Sequence, residues 1–236
     1  MPFNLDLSFE LLTLCEQVYP YCHGTEYSLP LGFSEPVLIT LGTPLPKLLE
    51  DDTLTKFGFV VKKGDKTYLV FRGTQVVEGS DRLAEWQTDF FALPMLRFGP
   101  GNVHRGFAGV WQSVAPSVAK ALEGIDAKKL VIAGHSLGAA IATLAWLQLG
   151  GDLVTFAGPR VGDAHVGTAL WNGNAVRVVN TPDIVPLVPS DPPFRHGGIE
   201  VKVTGPGSFF DAKRAHKLES YRAGLEGMRA SGLKAA

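Results

Sequence analysis

The sequence predicts a single domain, residues 1–236, with an α/β fold in which a mostly parallel central sheet is flanked by helices. Segments typical of buried strands alternate with segments typical of helices along most of the chain, a pattern that favours parallel strands joined by helices. No internal repeat or linker-like stretch divides the 236 residues, of which 45% are hydrophobic. We therefore expect one continuous fold with a large hydrophobic core.

The individual elements are predicted from local patterns in chain order. A first helix is expected over 8–19, ended by Pro20, and a proline-rich loop through Leu45 and Pro46 should follow it. Two strands joined by a turn at 63–65 should form a hairpin. The predicted ranges are 57–62 and 67–71 for the hairpin strands, 106–122 for a helix, 130–133 for a strand, 137–149 for a helix, 153–156, 175–179 and 199–203 for strands, and about 163 and 217 for the starts of two further helices.

Charge and hydropathy exclude several classes of partner. The formal net charge of −1 argues against nucleic acid or an acidic membrane surface as the main partner. No apolar run is long enough for a transmembrane segment. The first ten residues, MPFNLDLSFE, lack the basic region of a secretory signal, which leaves a cytoplasmic protein or the mature form of a secreted one.

Cys15 and Cys22 are the only cysteines. They are seven residues apart near a predicted helix, which is a poor arrangement for a disulfide, and no cluster of metal ligands surrounds them. The sequence therefore predicts neither a cofactor nor a metal.

The segment LVIAGHSLGAAIATLAW, residues 130–146, carries the clearest chemical signal. A strand-like run ends at Gly134, and an alanine-rich helix follows Ser136. The spacing Gly-x-Ser-x-Gly at a strand–helix junction is typical of a nucleophile elbow, in which the helix N-terminus favours developing negative charge. A glycine-rich turn with an incidental serine is the alternative. Ser136 is the candidate nucleophile.

A serine nucleophile needs a base and an acid that orients the base, and on this kind of fold the acid follows the serine along the chain. Asp183 directly follows a predicted strand, so it should lie at the same sheet edge as the serine. Asp152 precedes a strand and is expected at the opposite edge. Asp163 opens a predicted helix and is expected to be its N-cap. Asp183 is therefore the favoured acid.

The base is expected among three histidines that follow the serine. His216, in a predicted loop before the last helix, is favoured because such a loop can reach over the strand ends. His196 immediately precedes a predicted strand and is an open rival. His165 lies inside a predicted helix, where a surface or packing role is expected.

Several motifs together resemble those of a known family. AGHSLGAAIA, TFAGPRVGD, VVNTPDIVPLVP and the AHKLESY region, preceded by VFRGT, EWQTDF and VHRGF, are similar in content and order to motifs of the class 3 (fungal-type) lipase family of α/β-hydrolases. The resemblance extends over about 59–221. It implies an α/β-hydrolase fold with Ser136, Asp183 and His216 as the catalytic triad. It also implies that the histidines at motif positions outside the triad are not catalytic; these are His104, His135 and His196.

The resemblance also implies an oxyanion hole with two donors. One is the backbone N–H of Leu137, the residue after the nucleophile, and the other is Thr74, which could offer its hydroxyl as well as its N–H. Arg72 is expected to be a structural charge beneath the loop that carries Thr74.

A candidate lid is predicted at residues 75–99. The stretch VVEGSDRLAE, which ends just before Trp86, is longer and more charged than the short apolar lid helix of the family. We therefore expect a cleft that is incompletely covered and no strong activation by an oil interface; a solvated surface loop is the alternative. The residues expected to contact the substrate are Trp86, Phe90, Phe91 and Leu187.

The function implied by the resemblance is hydrolysis of carboxylic esters, most simply by a lipase acting on acylglycerols. A phospholipase A1, a short-chain or feruloyl-type esterase, and a non-catalytic lipid-binding protein on the same fold are the alternatives. The expected partners are a lipid or ester substrate and a transient contact with a lipid interface.

Overall fold

The structure, a computed structural model, describes residues 3–42, 55–74 and 94–232. Within these ranges the strands are β1 Val37–Thr40, β2 Lys56–Lys63, β3 Lys66–Phe71, β4 Met95–Phe98, β5 Gly101–His104, β6 Leu130–His135, β7 Asp152–Phe156, β8 Ala175–Asn180 and β9 Ile199–Val203. The helices are α1 Leu5–His23, α2 Arg105–Ala121, α3 Leu137–Leu149, α4 Ala164–Asn172, α5 Ala212–His216 and α6 Leu218–Ala230.

Seven of these strands form one sheet in the order β1-β2-β3-β6-β7-β8-β9. The pairs from β3 through β9 are parallel, whereas β2 is antiparallel to both β1 and β3. The predicted mostly parallel sheet is thus confirmed. Because parallel strands end at a common edge, the residues that follow β3, β6, β8 and β9 emerge on the same side of the molecule.

The sheet is covered on both faces by apolar side chains from the helices. On one face α2 and α3 pack against it, and Phe71, Ile132 and Trp111 belong to this layer. On the other face α1 and α6 contribute to a second layer that includes Leu11 and Tyr221. Burying one side chain of this size stabilises the fold by about 1.5–3 kcal/mol, so the two layers fix the sheet that carries the site.

The first helix does not end at Pro20, as the sequence suggested, but continues to His23. The carbonyl oxygen of Pro20 accepts a hydrogen bond from the Thr25 N–H (3.0 Å), and Gly24 closes the helix in the left-handed region with φ of 71°. Cys22 in this additional turn is buried in the core. Burial of the last turn offsets the backbone hydrogen bond that the proline cannot donate.

Two strand regions were not predicted. The sequence suggested a loop through residues 45 and 46, but Val37–Thr40 forms an edge strand antiparallel to β2. Met95–Phe98, part of the candidate lid predicted at 75–99, pairs with β5 in a separate hairpin. Residues 75–93 of that lid lie outside the described residues. None of the described helices has the length and apolar character needed to cross a membrane.

Candidate active site

Ser136 occupies the single residue between β6 and α3 and has φ of 58° and ψ of −124°. A positive φ is uncommon for a residue with a side chain and is costly, so the surrounding structure must hold it. The Ser136 N–H donates to the Phe156 carbonyl oxygen (3.1 Å). A Cβ atom at Gly134 would collide with the Gly138 backbone across the turn, whereas a Cβ at Gly138 would collide with the Phe71 backbone at the end of the neighbouring strand β3. The tight turn therefore requires Gly134, and the close approach of β3 requires Gly138.

Ser136, His216 and Asp183 form one hydrogen-bonded chain. The distance from Ser136 Oγ to His216 Nε2 is 2.9 Å, and the distance from His216 Nδ1 to Asp183 Oδ2 is 2.8 Å. Because an ionised carboxylate can only accept, Nδ1 carries the proton, and Nε2 of the neutral ring accepts from the serine hydroxyl. All three residues are buried. The structure thus brings together the three side chains singled out in the sequence.

Asp183 and His216 lie in the segments that follow β8 and β9. Asp183 lies in the turn after β8, where its Oδ1 accepts from the Val185 N–H (3.0 Å). His216 was predicted in a loop, but it is the last residue of the short helix α5. Asp211 caps this helix by accepting from the Arg214 N–H (3.2 Å), which gives the DAKRAH segment a stable helical turn.

Tyr221 on α6 makes a second contact with the acid. Its hydroxyl donates to Asp183 Oδ2 at 2.6 Å, and both side chains are buried. Burial alone would raise the pKa of Asp183, but the attraction of His216 and the hydrogen bonds from His216, Tyr221 and the Val185 N–H hold the pKa below its ordinary value. Burial and the nearby carboxylate raise the pKa of Tyr221. The acid is therefore kept ionised and the tyrosine neutral.

His135, next to the nucleophile, belongs to a second hydrogen-bonded chain. Its Nε2–H donates to the backbone carbonyl oxygen of His216 (2.9 Å), so its Nδ1 accepts from the Tyr19 hydroxyl (2.9 Å). The Tyr19 oxygen in turn accepts from the Gly73 N–H (2.9 Å). Burial, followed by the charge of His216, lowers the pKa of His135 to about 3, so its ring is neutral. This chain links the backbone of the base to the loop after β3.

The loop after β3 passes directly beside the nucleophile. A Cβ at Gly73 would lie 2.8 Å from the His135 carbonyl oxygen and 3.1 Å from Ser136 Cβ. Thr74, half-buried, is the next residue in this loop. Leu137 is the first residue of α3, so its N–H has no partner within the helix and lies in the first turn. Leu137 thus follows Ser136 directly in the chain, and Thr74 follows Gly73, the residue that passes beside Ser136.

Arg72 lies beneath the same loop and is fully buried. Its guanidinium donates to the carbonyl oxygens of Lys56 (2.8 Å) and Gly73 (3.0 Å) and lies over the Phe57 ring. Arg72 therefore supports the loop from below, as the sequence predicted.

The structure does not bring the rival histidine and carboxylates to the serine. His196 Nε2 donates to the Pro186 carbonyl oxygen (2.6 Å), and burial, with the charge of Arg177, lowers its pKa to about 3. Asp163 is the N-cap of α4, as predicted, and Asp152 begins β7 at the opposite sheet edge.

The remaining predicted positions have other surroundings. His104 is the N-cap of α2, and His165 is exposed on α4. Leu187, a predicted substrate contact, is 52% exposed in the turn after Asp183. The other predicted substrate contacts, Trp86, Phe90 and Phe91, lie outside the described residues. Within 3–42, 55–74 and 94–232, no group of three histidine, cysteine or acidic side chains is arranged to hold a metal ion.

Sequence reasoning missed three residues that support the site, and two of them lie within motifs that had been recognised. Tyr19 lies in a segment where no motif was recognised. Tyr221 ends the AHKLESY region quoted above but was given no role. Asn180 ends β8, and its side chain donates to the Ala215 carbonyl oxygen (2.8 Å), which holds the backbone beside His216. Polar residues within predicted motifs could have pointed to Asn180 and Tyr221.

Comparison with known proteins decides the family. The model of the family described as lipase (class 3) matches residues 68–192, more than half of the chain. The chain belongs to the class 3 lipase family. The matched region contains the elbow and Asp183, whereas His216 lies beyond it.

The chain is also similar in sequence to individual curated proteins. Secreted mono- and diacylglycerol lipase 1 of Fusarium solani is 34% identical over 126 residues, 48% of this chain and 38% of that protein. Phospholipase A1-II 3 of Oryza sativa subsp. japonica is 28% identical over 227 residues, 74% of this chain and 52% of that protein. The chain thus spans about half or less of the length of each of these two relatives.

A solved structure shows the fold. Lip2 lipase from Yarrowia lipolytica aligns with a TM-score of 0.64 and 21% identity, covering 87% of this chain and 83% of that one. The predicted α/β-hydrolase fold is confirmed.

Proposed function

We propose that this protein is a serine carboxylic ester hydrolase that acts on acylglycerols. The observation that carries the proposal is the buried chain Ser136–His216–Asp183, with the serine held at positive φ between a strand and a helix. The family membership and the Fusarium relative, named for mono- and diacylglycerols, support the choice of substrate.

In the first half of the reaction, His216 Nε2 accepts the hydroxyl proton as Ser136 Oγ attacks the acyl carbonyl carbon. Asp183 accepts the hydrogen bond from Nδ1–H and stabilises the imidazolium that forms. The carbonyl π electrons move to the oxygen, which becomes the oxyanion. When the carbonyl re-forms, the bond to the alcohol oxygen breaks, and His216 returns the proton to that oxygen. The products of this half are a free alcohol and an acyl-serine.

In the second half, water replaces the alcohol. His216 takes a proton from water as the water oxygen attacks the acyl carbon, and a second oxyanion forms. The bond to Ser136 Oγ then breaks, His216 protonates Oγ, and a fatty acid leaves. Both oxyanions need donors on the same side of the acyl carbon, and we propose the Leu137 N–H and Thr74 for this role.

A second candidate function is phospholipase A1 activity. The alignment with the rice phospholipase A1-II 3 covers 74% of this chain, compared with 48% for the Fusarium lipase. The chemistry at the serine would be the same, since only the alcohol that leaves differs.

The test is hydrolysis of a substrate panel by the purified protein. The panel contains p-nitrophenyl esters of increasing chain length, mono-, di- and triacylglycerols, phosphatidylcholine and a feruloyl ester. We expect the acylglycerols to be hydrolysed faster than phosphatidylcholine. A preference for phosphatidylcholine, with the fatty acid released from the sn-1 position, would instead support the phospholipase. A reaction restricted to short or feruloyl esters would contradict both proposals.

The matched variants test the assignment of residues. Ser136→Ala and His216→Ala should each lower kcat by roughly three to six orders of magnitude. His196→Ala changes a half-buried histidine that is hydrogen-bonded to the Pro186 carbonyl oxygen, so it should retain most of the activity. An organophosphonate should label Ser136; labelling of a different serine, with activity surviving in Ser136→Ala, would refute the mechanism.

A further inference from the structure

The turn Ser208–Asp211 presents two adjacent phenylalanines to solvent. Phe209 is 61% exposed and Phe210 is 104% exposed. Adjacent aromatic side chains left this open gain free energy when an apolar environment covers them. The exposure therefore needs an explanation.

The backbone of this turn is held in place at both ends. The Asp211 N–H lies within hydrogen-bond distance of the Ser208 carbonyl oxygen (2.9 Å) and of its Oγ (3.2 Å), and Asp211 also caps α5. Phe209 and Phe210 occupy the two central positions of a closed β-turn, so their outward direction is built into the backbone.

The turn lies in the segment that connects β9 to His216. It follows β9, whose carboxyl end is at the same sheet edge as Ser136, and it leads into α5, which ends at His216. Anything that binds the two phenylalanines is therefore brought close to the nucleophile.

Basic side chains follow the turn in the sequence. Lys213, Arg214 and Lys217 are all exposed and lie within eight residues of Phe210, whereas the acidic residues between 208 and 219 are Asp211 and Glu219. The net charge of −1 predicted little attraction to an acidic surface, but it averages over the whole molecule, and this edge carries a local excess of cations. Long basic side chains beside exposed aromatic rings are suited to the boundary between lipid headgroups and acyl chains.

We propose that this aromatic turn, Ser208–Asp211, docks the protein on an anionic phospholipid surface. Phe209 and Phe210 insert among the acyl chains, and Lys213 and Arg214 contact the phosphate groups. The inference rests on the proposed function in giving the substrate as a lipid, but the docking step itself requires no hydrolysis.

Vesicle binding by the Ser136→Ala protein tests the docking separately from catalysis. The vesicles contain phosphatidylcholine alone or mixed with phosphatidylglycerol, and binding is measured by co-sedimentation. Adding Phe210→Ser should weaken binding to the mixed vesicles about tenfold. Adding Lys213→Gln should weaken it about fivefold, with little effect on phosphatidylcholine alone.

The matched control is Leu31→Ser in the same background. Leu31 is 97% exposed, and the residue that follows it, Gly32, lies near Lys63 at the opposite edge of the sheet from Ser136. This variant should bind vesicles as the Ser136→Ala protein does. Equal binding by the Phe210→Ser and Leu31→Ser proteins would overturn the proposal. A dimer that Phe210→Ser abolishes would also overturn it, since a second copy of the chain would then cover the turn.

A second readout uses the otherwise unchanged enzyme. Phe210→Ser should keep kcat/KM on soluble p-nitrophenyl acetate and lose about tenfold in rate on anionic lipid vesicles. An equal loss on the soluble ester would show a role in the cleft and refute a docking role. Vesicle binding by a protein without ester hydrolysis would refute the proposed function and leave the docking surface intact.

Discussion

Removing one hydroxyl, in Tyr19→Phe, should disconnect the loop after β3 from the nucleophile elbow. This hydroxyl accepts from the Gly73 N–H and donates to His135 Nδ1, both at 2.9 Å. The substitution keeps the ring and its packing in the core, so the expected effects come from the two hydrogen bonds alone.

The magnitude follows from the two groups left without their partner. An unsatisfied buried polar group costs about 1–3 kcal/mol, so with two such groups the free energy of unfolding should fall by about 2–6 kcal/mol. For a chain of this size each kcal/mol lowers Tm by about 2–4 °C, which gives a decrease on the order of 10 °C. Losing one oxyanion donor entirely costs about a hundredfold to a thousandfold in turnover. A loosened loop that still carries Thr74 should cost about ten- to a hundredfold in kcat, with KM nearly unchanged.

The assay combines kinetics with p-nitrophenyl butyrate and thermal unfolding. Tyr21→Phe is the matched control, because Tyr21 lies on the same helix and its hydroxyl donates to the Pro36 carbonyl oxygen (3.3 Å), which is not part of the Gly73–Tyr19–His135 chain. If Tyr19→Phe matches this control in both kcat and Tm, the hydrogen-bonded link between the loop after β3 and the elbow has no functional role.

Three further predictions test other parts of the site. Thr74→Val keeps the backbone donor and should lower kcat on a soluble ester by roughly ten- to a thousandfold; an unchanged rate would assign the donor to the N–H alone. Gly138→Ala forces a Cβ into backbone atoms of the loop after β3 and should lower Tm or abolish soluble expression, whereas a normal Tm would contradict the close packing of the elbow. In the fold, His135 and His196 have pKa values of about 3, whereas in the unfolded chain they protonate below their ordinary pKa of 6.5. As the pH falls from 6.5 towards 3, each should therefore lower the free energy of unfolding by about 1.4 kcal/mol per pH unit. Urea unfolding at several pH values measures this slope, His196→Gln should reduce it, and a flat profile between pH 6.5 and 4.5 would refute it.

The elements at the centre of the sheet could be predicted because their sequence patterns are local. The run LVIAG followed by a serine and an alanine-rich segment specifies a buried strand, a tight turn and a buried helix, and β6 and α3 have those positions. The order of the motifs then placed Asp183 after a strand at the same edge. His216 was assigned to a loop because the sequence DAKRAH is too short and too polar to predict a helix without knowing that Asp211 caps it.

The supporting residues could not be predicted because their partners are far away in the sequence. Tyr19 and His135 are 116 residues apart, and no local pattern relates an N-terminal tyrosine to the nucleophile elbow. Tyr221 is 38 residues from Asp183 and lies on a helix whose direction depends on the sheet beneath it. Such pairs are determined by the packing of helices on the sheet, which the sequence specifies only through the complete fold.

The pairing of α1 with α6 determines when the site can form during synthesis. These helices are joined by the ion pair between Glu16 and Arg222, and each contributes one tyrosine hydroxyl to the network beneath the serine. A ribosome makes α1 early and α6 late, so a nascent chain that already carries the elbow still lacks His216 and Tyr221. If Ser136, His216 and Asp183 act as proposed, we expect ester hydrolysis to begin only after α6 has emerged and packed against α1, and chains that end before α6 should be inactive.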